Sequence, residues 1–380
     1  MTLRQNLRRY GPAFLKRLAD ADVVARRLDG LVTPLQRLLE WELQTPEQCQ
    51  AFWREIQPAR AGCPNDEHFR VYENILAYGF VHLADRYLRT WEVMHMLTRA
   101  RALPASKKLA VLDIGSGPAP ALYAIADFYQ ELREFATTQG VRRLAIEAPD
   151  LHPVEPDQGM RHFFHMLSKF SSRNSPLGAS LSDFGRFDPT EMRKNELASA
   201  RHSYEDEDCW EPAPPDGELR SWANRLHRYQ LVLFSNFLTT PSLVQRFREQ
   251  IAEAFQQQQP GVVIVVMGGI GDPYPNIYAD LDIIARTVGH YREEEIPNVI
   301  NDSSRQPHFP RLKQLANAVY NHLTSIDQVG KYEGKGYPPY GDPDAPSSPF
   351  PPSPCACTAR HAPPGTLPNI ASNLCPAMYR

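Results

Sequence analysis

The stretch Leu109-Ala110-Val111-Leu112-Asp113-Ile114-Gly115-Ser116-Gly117-Pro118-Ala119-Pro120 constrains the fold more than any other part of the chain. The apolar run after Lys107 and Lys108 reads as a buried parallel strand. Gly115 and Gly117 permit a sharp turn and a close approach of backbone to a ligand, where a Cβ would stand in the way. Pro118 and Pro120 suit the first turn of a helix, whose N–H groups have no partner to lose. That helix carries Ala124, Ile125, Phe128 and Leu132, and Gly140 is its natural stop. A strand, a bare turn and a helix N-terminus together make a binding place for an adenosine-type ligand or an anion. A dinucleotide fingerprint is not met, because Pro120 stands where the third glycine belongs. Asp113 at the strand end suits a ligand with positive charge or with amine and hydroxyl donors, and would repel a pyrophosphate.

With 380 residues and a net charge of −3, the chain is large enough for one large domain or two small ones and lacks the basic footprint of a nucleic-acid binder. The six cysteines include no Cys-x-x-Cys pair, so neither a zinc site nor a disulfide scaffold is expected. No apolar run is long enough to span a membrane, and the N-terminus lacks a secretory apolar core. A cytoplasmic protein is expected.

The Asp-x-Gly-x-Gly-Pro turn at Asp113–Pro118 resembles the first motif of class I S-adenosylmethionine-dependent methyltransferases. That family usually has a third glycine where this chain has Ala119. The resemblance implies an α/β fold, a doubly wound and mostly parallel sheet, and S-adenosyl-L-methionine as cofactor. A second segment, Leu151-His152-Pro153-Val154-Glu155 followed by Pro156-Asp157-Gln158-Gly159-Met160, resembles the family's second motif, whose acid holds the ribose hydroxyls. This strand is preferred over the rival Val141–Ile146. It lies farther from Asp113 than a strand–helix–strand step usually requires, so a long helix and an extra segment near Ala148–Asp150 must absorb the difference. A third segment, Tyr229–Thr239, reads as a buried strand with a polar exit and resembles the family's fourth motif. The resemblance thus assigns cofactor binding to Asp113, Gly115, Ser116, Gly117, Glu155, Ser235 and Asn236. Asn236 has a second reading, as a cap for a helix starting near Pro241. No catalytic base is assigned; His152, His162 and His165 are the nearest histidines by sequence.

The most hydrophobic strand, Gly261–Gly269, fits a central position in the sheet, and Gly268–Pro275 after it fits a substrate loop. An adenine contact is sought in Asp206–Trp210, where acids adjoin an aromatic. Helical periodicity places a helical region over 1–104, ahead of a core domain over 105–330. Within it, Thr45 with Gln48 reads as a capping box, and a long helix runs from about His68 to Ala100. Its Tyr72, Tyr78, Phe80, Tyr87 and Trp91 read either as bundle core or as the lining of an acceptor pocket. The basic residues of the first helices, including Arg17, Arg26 and Arg27, read as a solvated face. Residues 331–380, rich in proline, are expected to be a disordered tail, and the two strands that would complete the sheet are not evident.

The function implied is methyl transfer to an O, N or C acceptor, with a small molecule favoured. Two alternatives stand beside it. One is a ribosome- or RNA-associated factor of the same fold, and the other is a non-catalytic binding protein.

Overall fold

The computed structural model describes residues 3–18, 20–60, 72–104, 108–139, 147–155, 157–171, 229–235, 238–256, 262–268, 273–289, 299–300, 308–330, 332 and 355–360. Four helices come first: α1 (Leu3–Leu18), α2 (Ala21–Glu42), α3 (Pro46–Arg60) and α4 (Tyr72–Arg99). Then follow β1 (Ala110–Ile114), α5 (Pro120–Thr138), β2 (Asp150–Val154), α6 (Gln158–Phe170) and β3 (Leu231–Ser235). Next are α7 (Pro241–Arg246), α8 (Arg248–Gln256), β4 (Val263–Gly268), α9 (Tyr274–Thr287), β5 (Val299–Ile300), α10 (Phe309–Ile326) and β6 (Cys355–Arg360).

The sheet order is β2-β1-β3-β4-β6-β5. Strands β2, β1, β3 and β4 are mutually parallel, and β6 runs antiparallel to both of its neighbours. This is a doubly wound α/β sheet with a helical addition at its N-terminus. Cys355–Arg360 is a strand inside the stretch expected to be disordered, and β5 with β6 supplies two further strands, whose existence the sequence left open. The hexapeptide contains none of the prolines that flank it, so every residue can donate to the ladder beside β4.

Alternation along the strands sends side chains to two cores. Val111, Leu231, Leu233, Val263, Val265 and Met267 share a core with α1–α6 and α10. Leu112, Ile114, Val232, Phe234, Ile264 and Val266 pack against α7, α8 and α9. The front-end helices therefore cover one face of the sheet. Helix α4 is buried around almost its whole circumference, as a helix apolar on all sides must be. Gly79 lets Phe163 of α6 lie on the α4 backbone, where a Cβ would stand 2.3 Å from the ring.

The capping box forms as read: Thr45 Oγ1 accepts from the Gln48 N–H at 3.3 Å, and Gln48 Oε1 accepts from the Thr45 N–H at 3.0 Å. Part of the basic face turns inward: Arg17 and Arg27 are drawn toward α5, while Arg26 stays largely exposed. Arg17, Arg26 and Arg27 converge on Glu131 of α5 at 2.7–2.8 Å, and Glu131 is 0 % exposed. A carboxylate so buried requires cations around it, and α1 and α2 supply them. The amphipathic stretch after Pro241 divides into α7 and α8, and Thr240 caps α7, its Oγ1 accepting from the Leu243 N–H.

Candidate functional site

The chain passes from β1 outward to β2, then crosses back to β3 on the other side of β1. Such a reversal leaves a crevice at the carboxyl ends of β1 and β3, the place where ligands enter open α/β sheets. Asp113, Gly115, Ser116, Gly117, Glu155 and Ser235 all lie at these carboxyl ends. Asn236 lies outside the described residues, as do Val141–Ile146, Asp206–Trp210 and the middle of the loop after β4.

The glycine turn is built from left-handed backbone. Gly115 has φ +67°, Gly117 +56° and Ala119 +58°. The family's third glycine thus corresponds to a position that calls for glycine conformationally, and here alanine occupies it under strain. The turn is tied to β2. Gly115 and Ser116 donate their N–H groups to Val154 O at 2.8 and 3.1 Å, and Gly117 donates to Glu155 Oε2 at 2.5 Å. Three successive amides are therefore committed within the protein, so they do not form the open cradle that a phosphate requires. Beyond Gly117 the space is empty: a Cβ built there meets nothing within 4 Å.

Glu155 is 5 % exposed, and its other oxygen accepts from the Asp157 N–H at 2.9 Å. Its backbone oxygen accepts from Arg161. Burial pushes its carboxyl up to about 7. Two of its lone-pair positions remain for further donors. Asp113 is 0 % exposed, and neither carboxylate oxygen has a hydrogen-bond partner. Burial, then the nearby Glu155, raise its pKa well above the usual carboxylate range, while Arg86 acts in the opposite direction. The Ser235 hydroxyl is likewise buried without a partner. Ser235 pairs in register with Met267, and Asp113 with Leu233, so both polar side chains face the α4 side of the sheet.

Helix α4 reaches the end of β4. The Thr90 hydroxyl lies 3.9 Å from Met267 Sδ at the end of β4, and Arg86, one turn earlier, acts on Asp113 of β1. The aromatic residues of α4 divide between the two readings. Phe80, Tyr87 and Trp91 are core, with Phe52, Asp127 and Phe128 as respective partners. Tyr72 donates to Glu42 and meets the His162 ring edge-on. Tyr78 lies under the Arg86 guanidinium, 4.8 Å from ring centroid to Cζ. No motif marks Arg86. Its signal in the sequence is the charged group His82, Asp85, Arg86 and Arg89 within an otherwise apolar helix. At the end of β4, the stacked rings of Tyr274 and Tyr278 crowd Gly268, whose absent Cβ would meet them at 2.6–2.7 Å. His152 pairs with Asp150 at 3.1 Å and packs on the Tyr229 ring.

No protein-family model and no curated protein matches this sequence. Solved structures do. The chain is similar to several class I S-adenosylmethionine-dependent methyltransferases. One is a putative enzyme of that class from Listeria monocytogenes, with TM-score 0.30 and 9 % identity over 70 % of this chain and 81 % of that one. Another is precorrin-6y C5,15-methyltransferase from Geobacter metallireducens, with TM-score 0.28 and 13 % identity over 54 % and 73 %. A third is phosphoethanolamine N-methyltransferase 2 from Haemonchus contortus in complex with S-adenosyl-L-methionine, with TM-score 0.30 and 12 % identity. The match covers 71 % of this chain and half, 50 %, of that enzyme. Likenesses this loose decide nothing about chemistry, which rests on the residues of the site. Among the described residues, no helix is long and apolar enough to cross a membrane.

Proposed function

We propose that the protein binds S-adenosyl-L-methionine and transfers its methyl group to a small-molecule acceptor. The observation that carries this reading is the pairing of two buried carboxylates at the topological switch point. Asp113 has both oxygens unpartnered, and Glu155 retains acceptor capacity beside an unfilled space at Gly117. These residues fit the cofactor. Asp113 suits the ammonium of its amino-acid end, Glu155 suits the two hydroxyls of a ribose, and the space at Gly117 admits the nucleoside without a Cβ in the way. A phosphate fits poorly, because the turn amides are committed to β2 and Glu155. When bound, the cofactor would supply an electrophilic methyl on a sulfonium.

The protein's own contribution is then positioning and exclusion of water. Helix α4 reaches the end of β4 through Thr90, and Ser235 with the Tyr274–Tyr278 pair borders the neighbouring strand ends. The RNA-associated alternative loses support from the basic face on which it would rest, since Arg17 and Arg27 are held by Glu131 and Glu134. The test is calorimetric titration with S-adenosylmethionine, S-adenosylhomocysteine and adenosine diphosphate. Micromolar binding of the first two and none of the third is expected. A folded protein that binds neither sulfur ligand overturns the proposal. Release of S-adenosylhomocysteine after incubation with a metabolite extract separates an enzyme from a non-catalytic binder.

A further inference from the structure

We propose that Asp127 of α5 makes the docking of α1 and α2 proton-linked: the front-end helices hold to the core while Asp127 carries a proton, and they loosen when it ionises. The proposal stands apart from the cofactor reading and uses none of its residues.

Asp127, Glu131 and Glu134 stand at i, i+4 and i+7 of α5, so they form one acidic stripe along the helix. Facing the stripe are Arg17 of α1, Arg26 and Arg27 of α2, and Tyr87 of α4. The arginines go to two of the three acids. Arg27 pairs with Glu131 at 2.7 Å and with Glu134 at 2.6 Å. Arg17 lies 2.7 and 3.3 Å from the same two acids, and Arg26 reaches Glu131 at 2.8 Å. Asp127 receives the Tyr87 hydroxyl, which donates to its Oδ2 at 2.8 Å. A phenol satisfies one lone pair and brings no positive charge.

The third acid is therefore comfortable only as the neutral carboxyl. Burial pushes it up to about 7, while the Tyr87 hydrogen bond and Arg27 favour the anion and Glu131 and Glu134 favour the acid. Tyr87, and Tyr123 one turn back on α5, stay neutral because burial raises both. Ionisation places an anion one turn from Glu131, which is itself fully buried. Relief comes from water entering the seam, or from Arg27 leaving Glu131 and Glu134 for Asp127. Either change weakens the hold of α2 on α5. Helix α4 does not yield in its place, because it is buried around almost its whole circumference. The sign follows from linkage. A folded-state value raised from 3.8 to about 7 contributes stability that is complete below 3.8 and is lost as pH rises through 7.

The test is hydrogen exchange of the full chain, read by mass spectrometry between pH 6 and pH 8 and corrected for the intrinsic exchange rate at each pH. The opening constant of the α1–α2 amides should rise about tenfold over that range in the wild type. Asp127→Asn keeps the shape and an acceptor for Tyr87, and its profile should be flat. Tyr87→Phe removes a donor that favours the anion, so the rise should move to higher pH. A flat wild-type profile, opening that falls with pH, or a rise that Asp127→Asn retains overturns the proposal. An unmoved midpoint in Tyr87→Phe overturns it as well, even where Asp127→Asn fails to fold.

Discussion

Gly117→Ala separates the folding role of the glycine turn from its binding role. Gly117 has φ +56°, a region that costs an L-residue about 1–2 kcal/mol. Reduced freedom of the unfolded chain returns about 0.4–1 kcal/mol of that. No steric cost adds to it, because the new methyl group meets no protein atom within 4 Å. Net destabilisation is therefore about 1 kcal/mol, a fall of about 2 °C in Tm for a chain of this size. Ala119 shows that this fold accepts such strain, for it holds φ +58° with a Cβ in place. Binding should respond quite differently. The methyl group enters the space reserved for the nucleoside, and overpacking a rigid contact by one carbon costs about 1–3 kcal/mol, so S-adenosylhomocysteine should bind about 100-fold more weakly. Urea midpoints and calorimetric titration measure the two effects on the same preparation. A stable variant with unchanged affinity would refute the reasoning, since the glycine would then serve the turn alone.

The pH dependence of nucleoside binding follows from Glu155. Its carboxyl, ordinarily near 4.5, is pushed up to about 7, and only the ionised form accepts from both ribose hydroxyls. Affinity for 5′-methylthioadenosine should thus fall about fivefold from pH 7 to pH 6 and be level above pH 8, with about one proton released per ligand bound at pH 6; a flat profile counts against the assignment. The sign for the free protein is opposite: a raised folded-state pKa contributes stability that is complete below 4.5 and lost as pH rises through 7. Glu131→Ala leaves Arg17 and Arg27 facing each other without their buried acid, and a loss of about 3 kcal/mol in denaturant unfolding is expected. Thr45→Ala removes one half of the capping box and should cost about 1 kcal/mol, read as a shifted urea midpoint with an unchanged slope.

What the sequence determined by itself is local. Asp113-Ile114-Gly115-Ser116-Gly117-Pro118 encodes a strand, a turn and a helix start within one short stretch, and the backbone follows it. Thr45 with Gln48 encodes a helix start in the same way. Leu151–Val154 is legible as a strand because apolar residues, the acid Glu155 and a helix cap at Asp157 succeed one another in order. Each of these rests on bonds between residues close in the chain, so propensity and spacing suffice to find them.

Tertiary structure decided the rest. Cys355–Arg360 is too short and too weakly patterned to announce a strand, and only the open edge of β4 makes it one. Arg17, Arg26 and Arg27 look like a solvated face until α5 presents a buried Glu131 to them from far along the chain. The aromatic residues of α4 share one spacing, yet Phe80 packs on Phe52, Tyr87 donates to Asp127 and Tyr78 lies beneath the Arg86 guanidinium. Periodicity records which side of a helix is apolar; which charge it faces depends on how layers stack, and that is settled by long-range packing.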